Sequence, residues 1–422
     1  METLRTSASD EYVLPTAVAA GFDAKRLARI PDFVQRNFID AGILPHAHIL
    51  LSRDGNIVLD AVLGAARADG TALRHDALFR IASMTKPITS VAFMMLVEEG
   101  LVALDTPVAA ILPEFATSEV RTGGGANGQP FATRAADGPM RMIDLLRHTS
   151  GLTYSFQART PIDAAYGAAR LDVFHQTRSS DEYVAALAAL PLEFSPGSGW
   201  NYSVATDVLG IVIERVTGMP LDRVLRQRIF DPLAMHDSFF VLPKGKDARL
   251  TDAWQRDADG VRTLYDRGEA SRWRTTPGSF SGGGGLLSST HDYHRFCLML
   301  RNGGTLDDAR LLSPKTIALM TANHLPGGAD LASISQSLFS ESQNGGIGFG
   351  LGFAVTQNPA VAMLPGSVGE YYWGGMLSTF FFIDPCEGLI ALFMTQVMPS
   401  SAVAIRRELK TLIYAALTDS RA

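Results

Sequence analysis

The sequence predicts an α/β protein of the α+β type, a mixed antiparallel sheet flanked by helices plus a mostly helical inserted domain. Three observations carry this. Residues 46–66, "HAHILLSRDGNIVLDAVLGAA", run apolar on both sides of Asp54-Gly55, a dipeptide that tolerates the positive φ angles of a tight hairpin. The tail alternates strand-like runs with turns, from "GFGLGFAVT" through "VGEYYWGG" to "LSTFFFIDPCEGLIALFMTQV". Between about 140 and 235 the spacing is helical instead. Strands at both ends with helices between them imply one sheet closed by the two halves of the chain. Residues 1–82 and 275–422 are therefore assigned to the sheet domain and 83–274 to the mostly helical part.

Each element has its own signal. Residues 22–40, "FDAKRLARIPDFVQRNFID", read as a helix with Asp23 as its cap. From Ile88, apolar positions at 88, 91, 92, 95 and 96 mark one helical face that ends at Gly100. Residues 123–139, rich in Gly, Ala and polar residues, read as an excursion loop. "MIDLLRHTSGL" and "VATDVLGIVIERVTGMPLDRVLRQRIFDPL" are helical. "FSGGGGLLSSTHDYHRFCLMLRNGG" gives a Gly-rich turn, a short strand, a Ser/Thr-capped helix and a Gly stop. Asp384-Pro385 with Glu387-Gly388 turns one apolar strand into the next, and a helix near 402–417 closes the chain.

Composition excludes several classes of function. A chain of 422 residues exceeds one simple core. Its 46% hydrophobic and 19% charged residues are ordinary for a soluble protein with a large interior. The net charge is −6 and the 37 Lys and Arg are scattered, so neither nucleic acid nor a membrane surface is an expected partner. Glu2, Asp10 and Glu11 stand where a signal peptide would be positive and then apolar. Apolar runs of about ten residues fall short of the ~20 that a spanning helix needs. Cys297 and Cys386, far apart in apolar surroundings, are expected to be buried and reduced. The expected location is the cytoplasm.

The chemistry centres on residues 79–90, "FRIASMTKPITS". A serine hydroxyl is a poor nucleophile until a neighbour takes its proton. A helix starting near 83 puts Ser83 and Lys86 on one face, one turn apart. Its free N–H groups and positive dipole end favour a developing negative charge, and Pro87 suits a first helical turn. Taken alone, S-x-x-K reads as the polar start of an ordinary helix.

In its surroundings the stretch resembles the serine β-lactamase and penicillin-binding-protein superfamily, which carries this motif. "FRIASMTKPITSVAFMMLVEEGLVALDTPVAAILPEF" resembles the nucleophile helix of the class C β-lactamase-like branch. "MRMIDLLRHTSGLTYSF", "FSPGSGWNYSVATDVLGIVIERVTGMPL" and "SGGGGLLSSTHDYHRFCLMLRNGG" follow in the family's order, over about residues 50 to 400. The resemblance implies a β-lactamase-like fold with Ser83 as nucleophile and Lys86 as base. It makes Tyr202, in Tyr202-Ser203-Val204, the phenol that shares proton transfer.

The third family element differs. Where β-lactamases usually carry Lys-Thr-Gly, this chain has Trp373-Gly374-Gly375, and Val204 replaces the Asn of the tyrosine motif. Tryptophan offers a broad apolar face rather than a partner for a carboxylate. The pattern resembles the family VIII carboxylesterases of this superfamily. By that resemblance the oxyanion hole is the N–H of Ser83 with that of Met376, and the two glycines let the strand approach the substrate. Tyr154 and Phe156, next to "HTSGL", are further candidates for the pocket, ahead of Trp254, Trp273 and Phe280.

Other features are set aside. No G-x-S-x-G elbow is present. No obvious Asp, Glu or His set completes a metal site around His46-Ala47-His48, and His291 and His294 read as surface or capping residues. Gly282 to Gly285 lack the Lys-Ser/Thr of a phosphate loop and read as close backbone packing. His148 reads as a structural turn after a helix. The expected enzyme is a serine hydrolase for short-chain esters, with weak β-lactam hydrolysis as a side activity. It needs no metal or organic cofactor, and its oligomeric state is left open. Its rivals are a β-lactamase or D-Ala-D-Ala-type peptidase, an acyltransferase using the same acyl-enzyme, and an inactive binding protein on this fold.

Overall fold

Asp54 and Gly55 both take positive φ (51° and 82°), and the strands they join, β1 (His46–Arg53) and β2 (Asn56–Gly64), pair antiparallel. This is the hairpin that the dipeptide predicts. The protein is seen in a computed structural model that describes residues 10–126, 128–336 and 344–421; Glu2, part of the reading of the N-terminus, lies outside them.

Five more strands come from the other end of the chain: β3 (Ile347–Phe349), β4 (Ala354–Thr356), β5 (Tyr371–Gly374), β6 (Phe380–Asp384) and β7 (Leu389–Met394). The order across the sheet is β3-β4-β5-β6-β7-β1-β2, antiparallel throughout. The two ends of the chain meet where β1 pairs with β7, His48 opposite Met394.

Side chains alternate across the sheet. Ile49, Leu51, Phe380 and Phe382 face helices α1 (Ala24–Val34) and, at the other end of the chain, Arg406–Ala415; there they pack with Leu27, Ile30, Leu409 and Ile413. Leu50, Phe381, Ile383 and Leu392 point the other way, into the large core. That core contains α2 (Thr85–Glu98), α3 (Ala205–Thr217) and α4 (Thr290–Arg301). Asp23 caps α1 by accepting from the Arg26 N–H at 3.1 Å. Ser289 caps α4 through the Asp292 N–H at 3.2 Å.

Three local expectations are corrected. The periodicity from Ile88 suggests one apolar face, whereas α2 is buried around almost its whole circumference, including Thr85, Lys86, Thr89 and Ser90. It runs through the interior against α3, so its polar residues are there for contacts rather than for water. Within 123–139, Phe131–Ala135 forms a hairpin with Glu119–Gly124; its strands bury only Val120 and carry no apolar alternation to reveal it. Cys297 is buried in α4, but Cys386 is exposed in the β6–β7 turn, and both are free. Among the described residues, no helix is long and apolar enough to cross a membrane.

Candidate active site

The approach to Ser83 is held rigidly. Phe79–Arg80 pairs with Leu287–Ser288. The buried Arg80 guanidinium is ion-paired with Asp266, donates to the Thr251 carbonyl at 2.8 Å and lies over the Trp273 ring. Ala82 then takes φ 45°, a conformation non-glycine residues avoid. The short turn Ala82–Met84 leads directly into α2, so Ser83 sits at the helix entrance rather than within it. The Tyr293 hydroxyl donates to the Met84 carbonyl at 2.9 Å.

Lys86 is 2% exposed. Its Nζ lies 2.7 Å from the Gly283 carbonyl, 3.0 Å from the Tyr154 hydroxyl and 3.3 Å from Ser83 Oγ. An ammonium can donate to all three. A neutral amine can donate to Gly283 and Tyr154 and turn its lone pair to the serine hydroxyl. The geometry therefore suits both states that a proton carrier passes through.

Gly283 is held by Asp207 on α3, which accepts from the Gly283 N–H at 3.1 Å and from Ser281 Oγ at 2.5 Å. Burial raises the Asp207 carboxyl above its ordinary value, and the Lys86 charge opposes that rise. A Cβ on Gly282 would stand 2.7 Å from the Thr206 carbonyl oxygen, so close backbone packing accounts for this glycine. Sequence reasoning missed Asp207; its signal was a carboxylate in the otherwise apolar run "VATDVLGIVI".

An aromatic cluster surrounds the amine. Tyr202 turns its ring to Lys86, centroid 4.7 Å from Nζ, while Tyr154 supplies a phenol oxygen at hydrogen-bond distance. The two rings lie 5.2 Å apart, and Phe156, 58% exposed, stacks on Tyr154 at 5.0 Å. Burial, with Asp207 and Tyr202 nearby, pushes the Tyr154 phenol well above its usual range. His148 occupies the turn after a helix, as expected, but its ring also meets Tyr202 edge to face at 4.9 Å. Burial first, and the Lys86 charge second, hold His148 well below the usual histidine value.

Trp373, on β5, closes the cluster 5.3 Å from Tyr202. Next to it, a Cβ on Gly375 would stand 2.6 Å from the Ile81 carbonyl oxygen and also strike Thr379 Oγ1. A Cβ on Gly374 would stand 2.9 Å from the Thr379 carbonyl oxygen. Only glycine lets the strand end lie against the turn that carries Ser83. Met376 follows, partly buried, in the turn between β5 and β6. The other aromatics stand elsewhere. Trp273 is buried and donates to the Gly285 carbonyl at 2.8 Å, Phe280 packs on Phe240, and Trp254 lies in a small separate sheet beneath Arg262.

The histidines differ from expectation. His294 is buried with Nε2 2.8 Å from Ser52 Oγ, and Ser289, not a histidine, caps α4. Asp60 and His75 gather around His48, with His291 beside them. These partners are scattered along the chain, which hid the set from a reading by spacing.

Known proteins resemble this chain over most of its length. The family model described as Beta-lactamase matches residues 34–415. Esterase EstB of Burkholderia gladioli is 34% identical over 406 residues, 90% of this chain and 93% of that protein. Lovastatin esterase of Penicillium rubens is 32% identical over 336 residues, 76% and 80% of the two chains. The solved structure of EstCE1, described as a hydrolase with promiscuous acyltransferase activity, superposes with a TM-score of 0.77 at 25% identity. It covers 95% of this chain and all of that one.

Proposed function

Because the chain belongs to the beta-lactamase family, we propose that it is a serine carboxylesterase of the family VIII kind, cleaving short-chain esters through an acyl-Ser83 intermediate. One observation carries the reading: Lys86 Nζ is 3.3 Å from Ser83 Oγ, beside the aromatic cluster that Trp373 closes. The likeness to Esterase EstB and lovastatin esterase supports it.

In this mechanism Ser83 Oγ attacks the ester carbonyl while Lys86 takes the hydroxyl proton. The backbone N–H groups of Ser83 and Met376 receive the tetrahedral oxygen. Tyr154, buried and kept neutral, holds the amine in place; Tyr202 passes the proton to the departing alkoxide, which leaves as the alcohol. Water then adds to the acyl-enzyme with Lys86 again taking a proton, which returns to Ser83 Oγ as the acid departs. Trp373 and Phe156 offer apolar surface to the ester, and Trp373 stands where a cationic residue would hold the carboxylate of a β-lactam. The reading includes a cytoplasmic location, supported by two free cysteines and tested by cell fractionation.

Acyl transfer is a second reading, favoured by the likeness to EstCE1. Turnover of p-nitrophenyl acetate and butyrate beside a chromogenic cephalosporin, in wild type and Ser83→Ala, tests the assignment. Ester turnover that survives in Ser83→Ala sinks the mechanism, and cephalosporin turnover far above ester turnover sinks the esterase. Product analysis with a competing alcohol separates hydrolysis from transfer.

A further inference from the structure

Asp60 gathers imidazoles from three other places in the chain. His48 Nε2, on β1, lies 2.7 Å from its Oδ1, and His75 Nδ1 lies 3.2 Å from the same oxygen. His291 Nε2, in the first turn of α4, lies 3.1 Å from Oδ2. The ligand atoms of His48, Asp60 and His75 are all within 4.8 Å of one another. The outer side of one ring is also fixed: His48 Nδ1 is 2.8 Å from Thr290 Oγ1.

We propose that His48, Asp60 and His75 form a binding site for a divalent transition-metal ion of the zinc class, with His291 bracing the second oxygen of Asp60. One carboxylate does not need three imidazole partners to be satisfied, whereas imidazoles converging on a carboxylate are the donor set of such ions. Calcium and magnesium prefer oxygen ligands throughout. A partner on the far ring nitrogen, as Thr290 gives His48, is what orients a metal-binding histidine. The site is graded in depth: the His48 side chain is fully buried, that of Asp60 is 17% exposed and that of His75 is 54% exposed. An ion therefore has an entry side and a fixed floor.

The ion would join the β1–β2 hairpin, the segment leading into Phe79–Arg80 and the start of α4. His48 packs near the Phe79 ring, 6.5 Å between centroids. Its role is to fasten the approach to the nucleophile turn, and no step of ester cleavage passes through it.

The test uses untagged full-length protein, stripped with chelator and titrated with Co²⁺ and with Zn²⁺. Calorimetry, the visible cobalt spectrum and Tm are read in wild type, His75→Ala, Asp60→Asn and the exposed control His236→Ala. Expected are one equivalent bound with Kd in the micromolar range or tighter, a cobalt ligand-field band and a Tm raised by a few degrees. His75→Ala, at an exposed position and checked for folding by circular dichroism, weakens binding at least tenfold, while His236→Ala binds as wild type does. Absence of stoichiometric binding, or binding unchanged in a folded His75→Ala, overturns the site. These readouts follow metal rather than turnover, so the result is independent of the esterase reading.

Discussion

The Lys86 amine and the Gly283 carbonyl lie 2.7 Å apart, and through the Gly283 N–H the contact continues to the buried Asp207 carboxylate. A residue remote from the ester thus fixes where the proposed base can stand. Asp207→Ala leaves the Gly283 N–H and the Ser281 hydroxyl without their acceptor, at about 1–3 kcal/mol for each group. The expected outcome is a kcat for p-nitrophenyl butyrate lowered about 10- to 100-fold with KM little changed, and a lower Tm. Asp207→Asn keeps one acceptor oxygen and restores part of the loss. Full activity in Asp207→Ala rules the linkage out.

The two tyrosines separate by chemistry. Tyr154→Phe removes a hydrogen bond to the Lys86 amine, a contact of about 1.5–3 kcal/mol when the partner is charged, so kcat/KM falls about 10- to 100-fold. Tyr202→Phe removes the proposed proton carrier and costs more, about 10²- to 10⁴-fold. Steady-state kinetics on both variants checks the order; the reverse order exchanges their roles.

His148 sets an acid limit on stability. Its native value lies well below 6.5 because the ring is buried beside Lys86. Below pH 6.5 the unfolded chain takes up a proton that the native ring refuses, so this contribution to stability is present above 6.5 and lost as pH falls toward the native value. His148→Gln therefore loses less Tm than wild type between pH 7 and pH 5. Parallel melting curves across that interval would show otherwise if burial of this ring were unimportant.

Gly375→Ala brings a methyl group within 2.6 Å of the Ile81 carbonyl oxygen. Both neighbours there are backbone or buried, so the turn carrying Ser83 must move. Displacements near 1 Å cost roughly 10²-fold in rate, and kcat is expected to fall by about that factor while the protein stays folded. Unchanged kcat, checked alongside circular dichroism, contradicts the packing argument.

Much of the fold was legible because its signals are local. Asp54-Gly55 announced a hairpin, Ser289 a helix start, and Asp384-Pro385 the turn between β6 and β7. What escaped depends on distant contacts or on weak patterns. Glu119–Gly124 and Phe131–Ala135 pair with each other and bury only Val120, so no apolar alternation marked them. Asp207 has a site-building role only because Gly283, far along the chain, lies against it. The partners of His48 come from positions 60, 75 and 291, beyond any spacing rule. Tyr154 was placed in the pocket from its neighbourhood, but its bond to Lys86 is a matter of three-dimensional packing.

The sheet order also bears on how the molecule is made. β1 can pair with β2 as soon as both leave the ribosome, but its other edge waits for β7, and the Ser83 turn waits for β5 to supply Trp373 and Gly375. A nascent chain that ends before β5 carries its serine and lysine without the pocket wall. Under the proposed mechanism, ester cleavage therefore waits for β5.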